Sequence, residues 1–362
     1  MTQEEHLQTF ELILKTRTPL FIGCGKSYTK KEYLFDRSSS TVSFVDEHAM
    51  FTYLAEHNLA DAYEQYILGN MGHNLQDFLL NICKIDRQTV QRWIRCRINA
   101  GDALDDNHTL KEIQRFIRGA DGQVYIPGSS AKGAIRTALL TAMLLNTPPQ
   151  APDPNLPFNR YASFEDMYFH TLSLKHDKEG QVQRNNPLNS FAQGIRISDS
   201  LPIPDSKLCL TKKIDEFPDG SYNVINICRE CIKPDTLVRC TLTLDQSILR
   251  GKITAQTIAR DIAKASAFYQ HTVLAHYPQA NNDMNAKTIL LGGGVGYQSK
   301  TVTEAYYGAQ AMGVTMRILD KAFFKHRHLQ DGQKEGISPR ALKQTDFQNA
   351  SYGYGVCEVS IR

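Results

Sequence analysis

The chain has 362 residues, 22% charged and 41% hydrophobic, with a formal net charge of +3. That length suits two domains or one elaborated domain with enough core to fold without staples, and the mild basicity permits a nucleic-acid partner without demanding one. Eight cysteines at irregular positions read as reduced thiols, and a polar start with no run of 18 apolar residues predicts neither signal peptide nor membrane span, so a cytoplasmic protein is expected.

In chain order, residues 10–15 read as a strand with Phe10, Leu12 and Leu14 on one side, followed by a turn at Ile22-Gly23-Cys24-Gly25 and a short strand over 33–35. From 47 to 118 the pattern is helical, with Tyr53, Leu54, Ile67, Phe78, Leu79, Trp93, Ile94, Ile113 and Ile117 at helical spacings. A strand over 124–126 leads into a helix that Ser129 or Ser130 would cap, with Ala131, Ala134, Ile135, Ala138, Leu139 and Ala142 as its apolar stripe. Five prolines between 148 and 157 break regular structure, and 175–187 is polar and reads as mobile. Residues 194–198 predict a strand, and 208–211 with 222–228 predict a hairpin around Asp219-Gly220. Val238, Cys240, Leu242 and Leu244 alternate as a half-buried strand. A helix carries Ala255, Ile258, Ile262, Ala265 and Tyr269, and a strand over 288–291 runs into a glycine-rich loop. A last helix is expected from Val302 to Phe323, and 352–361 closes the chain. Interleaved strands and helices with hairpins predict an α+β fold of ferredoxin-like (RRM-like) units.

Three motifs carry chemistry. In Tyr125-Ile126-Pro127-Gly128-Ser129-Ser130-Ala131-Lys132-Gly133-Ala134-Ile135-Arg136, a helix start offers unpaired N–H groups to a phosphate, and Lys132 and Arg136 share one face. The bland alternative is a capped helix with two solvated cations. Gly133 speaks against it, since a glycine inside a helix costs about 1 kcal/mol relative to alanine and needs a reason such as close approach of another backbone. The second motif, Leu291-Gly292-Gly293-Gly294-Val295-Gly296-Tyr297-Gln298-Ser299-Lys300-Thr301, departs from a phosphate-binding P-loop because Ser299 replaces the second glycine. About 60 residues follow it, too few for a P-loop sheet, and Asp245 is only a weak candidate for a magnesium ligand. An RNA backbone lying on the loop, helped by Lys300 and by stacking on Tyr297, is the stronger use. The third, Cys228-x-x-Cys231 with Cys209 and Cys240 nearby, lacks the second pair that a zinc site would want.

Elsewhere, Lys84, Arg87, Arg92, Arg95, Lys111, Arg115 and Arg118 either touch RNA or solvate a face. His326-Arg327-His328 beside Lys321 and Lys325 reads as a solvated cationic helix end in preference to a catalytic pair.

These segments, taken in order with Thr18-Pro19-Leu20-Phe21-Ile22-Gly23-Cys24-Gly25, Ile195-Arg196-Ile197-Ser198-Asp199-Ser200, Arg229-Glu230 and Ala341-Leu342-Lys343-Gln344-Thr345, resemble the RAMP proteins of type III-A CRISPR effector (Csm) complexes. The resemblance is strongest to the type that caps the 3′ end of the CRISPR RNA (crRNA). It implies an RRM-like RAMP core in an N-terminal region, 1–205, and a C-terminal one, 206–362. It also implies a helical insertion near 47–118 and a thumb-like projection near 146–192. By the same resemblance the chain is a non-catalytic RNA-binding subunit without cofactor or metal. Its implied partners are crRNA, target RNA, the adjacent backbone RAMP subunit, the small subunit, and host nucleases that trim the crRNA. The RNA-binding set is then Ser129, Ser130, Lys132, Gly133, Arg136, Arg196, Arg229, Gly292, Gly293, Gly294, Gly296, Tyr297 and Lys300. Asp36 lies near the place where the backbone subunit of such complexes keeps a catalytic aspartate, so a metal-dependent endoribonuclease is the alternative, with a P-loop-like nucleotide binder behind it.

Overall fold

Alternating and helical hydrophobic patterns resolve into fourteen strands and eleven α-helices in the computed structural model, which describes residues 6–69, 73–104, 109–110, 112–149, 162–281 and 283–362. The chain opens on β1 (Leu7–Thr16), β2 (Gly23–Tyr28), β3 (Tyr33–Asp36) and β4 (Thr41–Val45). Helices α1 (Glu47–Glu56), α2 (Ala60–Leu68), α3 (Leu75–Asp77) and α4 (Arg87–Arg92) follow, then β5 (Ile94–Asn99) and β6 (Ile113–Phe116). Next come α5 (Gly128–Asn146), α6 (Ala162–Phe169), β7 (Ile195–Ile197), the hairpin β8 (Leu208–Glu216) and β9 (Tyr222–Ile232), and β10 (Leu237–Asp245). The remainder is α7 (Gln246–Leu249), α8 (Ala255–Thr272), β11 (Thr288–Leu290), α9 (Thr303–Tyr307), α10 (Ala311–Ala322), α11 (His328–Glu335), β12 (Leu342–Phe347), β13 (Ala350–Gly353) and β14 (Val356–Ile361).

One sheet runs β11-β14-β1-β10-β7, every neighbour antiparallel. Taking β1, α5, β7, β10, α8 and β14 in chain order, the strands lie fourth-first-third-second, the order of a split βαβ ferredoxin-like unit. The unit forms because β1 and β10 alternate in register. Leu12 lies opposite Cys240 and Leu14 opposite Val238, all buried in the main core, and α5 and α8 cover that face. A second sheet, β13-β12-β8-β9-β6-β2, is six-stranded and mixed, with β6 and β9 parallel. Both sheets draw strands from either side of the expected boundary at 205, and one hydrophobic core joins them. A third, three-stranded sheet, β3-β4-β5, gives Val42, Phe44 and Ile98 to the main core and packs with α1–α4 around a second core that includes Leu34, Met50, Leu54, Phe78 and Trp93.

Several local expectations are corrected. The helical stretch ends at Arg92, because Ile94 and Ile113 pair into β5 and β6. The glycines at 23 and 25 belong to an edge strand, not a turn, and residues 124–126 make only single bridges through Val124, to Arg118 and Ile203. The helix expected from 302 to 323 breaks at Gly308, whose φ is +52°. The polar segment 175–187 is pinned: the buried Asn189 side chain donates to Lys175 O and Gln183 O and accepts from the N–H groups of Leu174 and Lys175. Of the expected thumb, residues 150–161 lie outside the described residues, as does Lys111. Among the described residues no helix is long and apolar enough to cross a membrane.

Candidate nucleic-acid interface

The start of α5 is set by its neighbour strand and not by its own serines. Pro127 occupies the N-cap position and no side chain of the first turn caps it, so the serine cap is corrected. Instead the Asp199 carboxylate, just past β7, accepts from Gly128 N–H at 2.8 Å, and Ser200 Oγ accepts from Ile126 N–H at 2.9 Å. A Cβ on Gly128 would overlap the carbonyls of Ile197 and Ser198, which is why a glycine stands there. The helix end therefore already holds an anion of its own chain, a partner its partial positive charge favours.

Around that end the surface stays cationic. Ser129 is exposed, Ser130 half-buried, and Gly133 exposed with nothing within 4 Å of the position a Cβ would take. Partial burial pushes the Lys132 ammonium below its ordinary value, and the nearby guanidiniums of Arg136 and Arg196 push it further. Arg196 sits on the solvent face of β7 and pairs with Asp245 at 3.0 Å. Arg136 is turned inward, its guanidinium 5.3 Å from the Phe169 ring centre. Beyond Arg196, the solvent face of the five-stranded sheet carries Glu11, Lys15, Arg239, Thr241 and Thr243 and no aromatic ring. The stacking platform by which an RRM reads bases is absent from it.

The glycine-rich loop is organised differently. Gly292, Gly294 and Gly296 have φ of +85°, +80° and +90°. A Cβ on Gly292 would overlap Phe21 O, which accepts from Gly293 N–H at 2.6 Å, and a Cβ on Gly294 would overlap the Arg229 guanidinium. Arg229 is buried on β9, its guanidinium 5.0 Å from the ring centres of both Phe21 and Tyr354, with Nε donating to Gln114 Oε1 at 3.0 Å. Tyr354 in turn donates to Lys212 O at 2.8 Å. The segment around Phe21, the glycine loop, Arg229 and the β13–β14 turn thus lock into one another. Past the loop, Tyr297 is half-buried with its hydroxyl 3.2 Å from Thr303 Oγ1, and Lys300 is exposed.

Other candidates fall within the scaffold. Arg118 is buried and paired to the fully buried Glu230, with a second contact to Asp205 at 3.2 Å, and Glu230 also accepts from Phe116 N–H. Arg95 pairs with Asp205 at 3.3 Å and Arg115 lies 4.3 Å over the Tyr28 ring. Asp36 accepts from Ser38 N–H, Ser38 Oγ and Ser39 Oγ at 2.7–2.9 Å, bonds that hold its carboxyl below the ordinary value. It shapes the β3–β4 turn. Cys228 and Cys231 are fully enclosed on β9, with Cys231 opposite Cys209 on β8, and burial pushes the Cys231 thiol up to about 12. Asp199, Glu230 and the ring beneath Arg136 escape a linear reading because each acts on residues at least 33 positions away.

A RAMP superfamily family model matches residues 13–289, most of the chain. The chain belongs to the RAMP superfamily. Among curated RAMP relatives it is 26% identical to the "CRISPR system Cms protein Csm5" of Mycobacterium tuberculosis (strain CDC 1551 / Oshkosh), over 99% of this chain and 98% of that protein. To the Csm5 of Streptococcus thermophilus it is 28% identical, over 86% of this chain and 83% of the relative. In fold it is similar to a chain in the cryo-EM structure of a Csm–crRNA–target RNA ternary complex of a type III-A CRISPR-Cas system, at a TM-score of 0.66 and 17% identity, covering 97% of this chain and all of that one. The crystal structure of T. onnurineus Csm5 gives a TM-score of 0.60 at 14% identity, covering 96% and 99%. The ferredoxin-like sheet and the two glycine motifs of this chain are therefore set in a RAMP fold.

Proposed function

We propose that this protein is a Csm5-type subunit of a type III-A CRISPR interference complex, a structural RNA-binding protein that holds the 3′ region of the crRNA and caps the filament of backbone subunits. The observation that carries the RNA contact is the open cationic corner formed by Lys132 and Arg196 beside Gly133. Three features there suit a phosphodiester strand: unfilled space over a helical glycine, an exposed serine, and cations whose mutual repulsion an anion would relieve. Tyr297 and Lys300, past the glycine loop, are assigned as further RNA contacts on this reading. Similarity to Csm5 proteins along the whole chain supports the place in the complex.

Lys132→Ala combined with Arg196→Ala, in a tagged chain purified with its complex, is expected to lower the co-purifying small RNA several-fold; undiminished RNA would overturn the assignment. A catalytic role is not favoured, because the Asp36 oxygens are taken up by its own turn. Target-RNA cuts made by the assembled complex are expected to persist when Asp36 is replaced by alanine.

A further inference from the structure

The elbow between α10 and α11 carries a feature the RNA corner does not use. Residues 321–328 hold Lys321, Lys325 and Arg327, two histidines and two phenylalanines, and no acidic residue. Phe323 was expected in the buried stripe of its helix, but α10 stops at Ala322 and both phenylalanines face solvent, Phe323 53% and Phe324 81% exposed. Adjacent residues at a helix end cannot both point at one core, so at least one ring had to emerge. The Phe323 ring centre lies 6.2 Å from that of His326 and 6.4 Å from that of His328, and the two imidazoles are 5.6 Å apart. Leu329 adds further exposed apolar surface. Lys321, Lys325 and Arg327 are exposed, and among the described residues none of them pairs with a carboxylate.

Flat rings interleaved with unpaired cations match one chemistry well: a single strand of nucleic acid, whose bases stack on the rings while its phosphates meet the cations. An apolar protein partner would be served by the rings but would have to bury three uncompensated charges, which is costly. We infer that this elbow is a second single-stranded RNA contact, separate from the Lys132–Arg196 corner and independent of sequence. It rests on the reading of the protein as an RNA binder and adds a second point of grip.

The test is fluorescence anisotropy of the full-length chain with a labelled oligouridylate of about ten nucleotides, a length within the range that single-strand binding sites span. Phe324→Ala removes a solvent-facing ring and is expected to weaken binding at least about fivefold. Changing Lys321, Lys325 and Arg327 together to glutamine should lower the slope of log affinity against log salt by about 2, as three fewer phosphate contacts require. Lys132→Gln with Arg196→Gln, run in parallel, separates the two sites. If those variants weaken binding while both elbow variants bind as the parent does, the elbow inference fails and the corner stands. If only the elbow variants weaken it, the elbow stands and the corner fails. Should the elbow variants lose a protein subunit of the purified complex with RNA affinity unchanged, the surface is a protein interface and the inference is overturned.

Discussion

The two glycine motifs of this chain look alike in sequence and behave oppositely in the fold. At the glycine-rich loop, Gly292 and Gly294 are filled from within, by the Phe21 carbonyl and by the Arg229 guanidinium. At the start of α5, only Gly128 is filled from within, by the end of β7, while five residues on Gly133 faces empty space between a helix and solvent. A glycine that lets the chain touch itself and a glycine that leaves room for something else cannot be told apart by composition. The atoms around each decide, and only the second kind leaves room beside it.

The largest expected effects lie on the locked side. Replacing Glu230 by alanine leaves the buried Arg118 guanidinium without its main counter-charge, and should cost about 3–5 kcal/mol in chemical denaturation. Gly292→Ala combines a positive φ with an overlap against backbone, and is expected to cost about 2–4 kcal/mol. Gly133→Ala breaks the symmetry between the motifs. With no neighbour to meet, the new methyl should stabilise the isolated chain by about 0.5–1 kcal/mol, read as a raised denaturation midpoint, while weakening RNA retention. A loss of stability there would show that the two glycine settings are alike.

The smallest effect is at the seam between the motifs, where α5, α8, β11 and residues 298–305 line a half-open pocket of about 70 Å³ to which Glu304 contributes. Burial pushes the Glu304 carboxyl up to about 7. Its folded-state value is above the unfolded one, so the group's contribution is fully present in acid and is lost as pH rises from the ordinary glutamate range through about 7. Glu304→Gln should therefore narrow the difference in thermal midpoint between pH 5 and pH 8. An unchanged difference would place the titration elsewhere.

What could be read beforehand was whatever depends on near neighbours. The alternation in β10, the stripe of α5, the Asp219-Gly220 hairpin and the period of α8 all stand in the structure. Strands β5 and β6 were not legible, because a short strand inside a helical run is defined by its partners: Ile98 is paired to Val42, and Ile113 to Cys228. The same limit applied at the site. Lys132 and Arg196 could be proposed separately, but that β7 delivers Arg196 and Asp199 to the first turn of α5 is a fact of tertiary pairing across about 70 residues. Arg229 was proposed for RNA, and its residue type gave no sign that two of the chain's own rings would enclose it.

The most direct test of the outward-facing corner is photo-crosslinking of the assembled complex followed by mapping of the modified peptides. The account predicts crRNA nucleotides attached within residues 128–136 and 195–198, lost when Lys132 and Arg196 are both replaced. Crosslinks confined to residues 292–296, with none on α5 or β7, would contradict it.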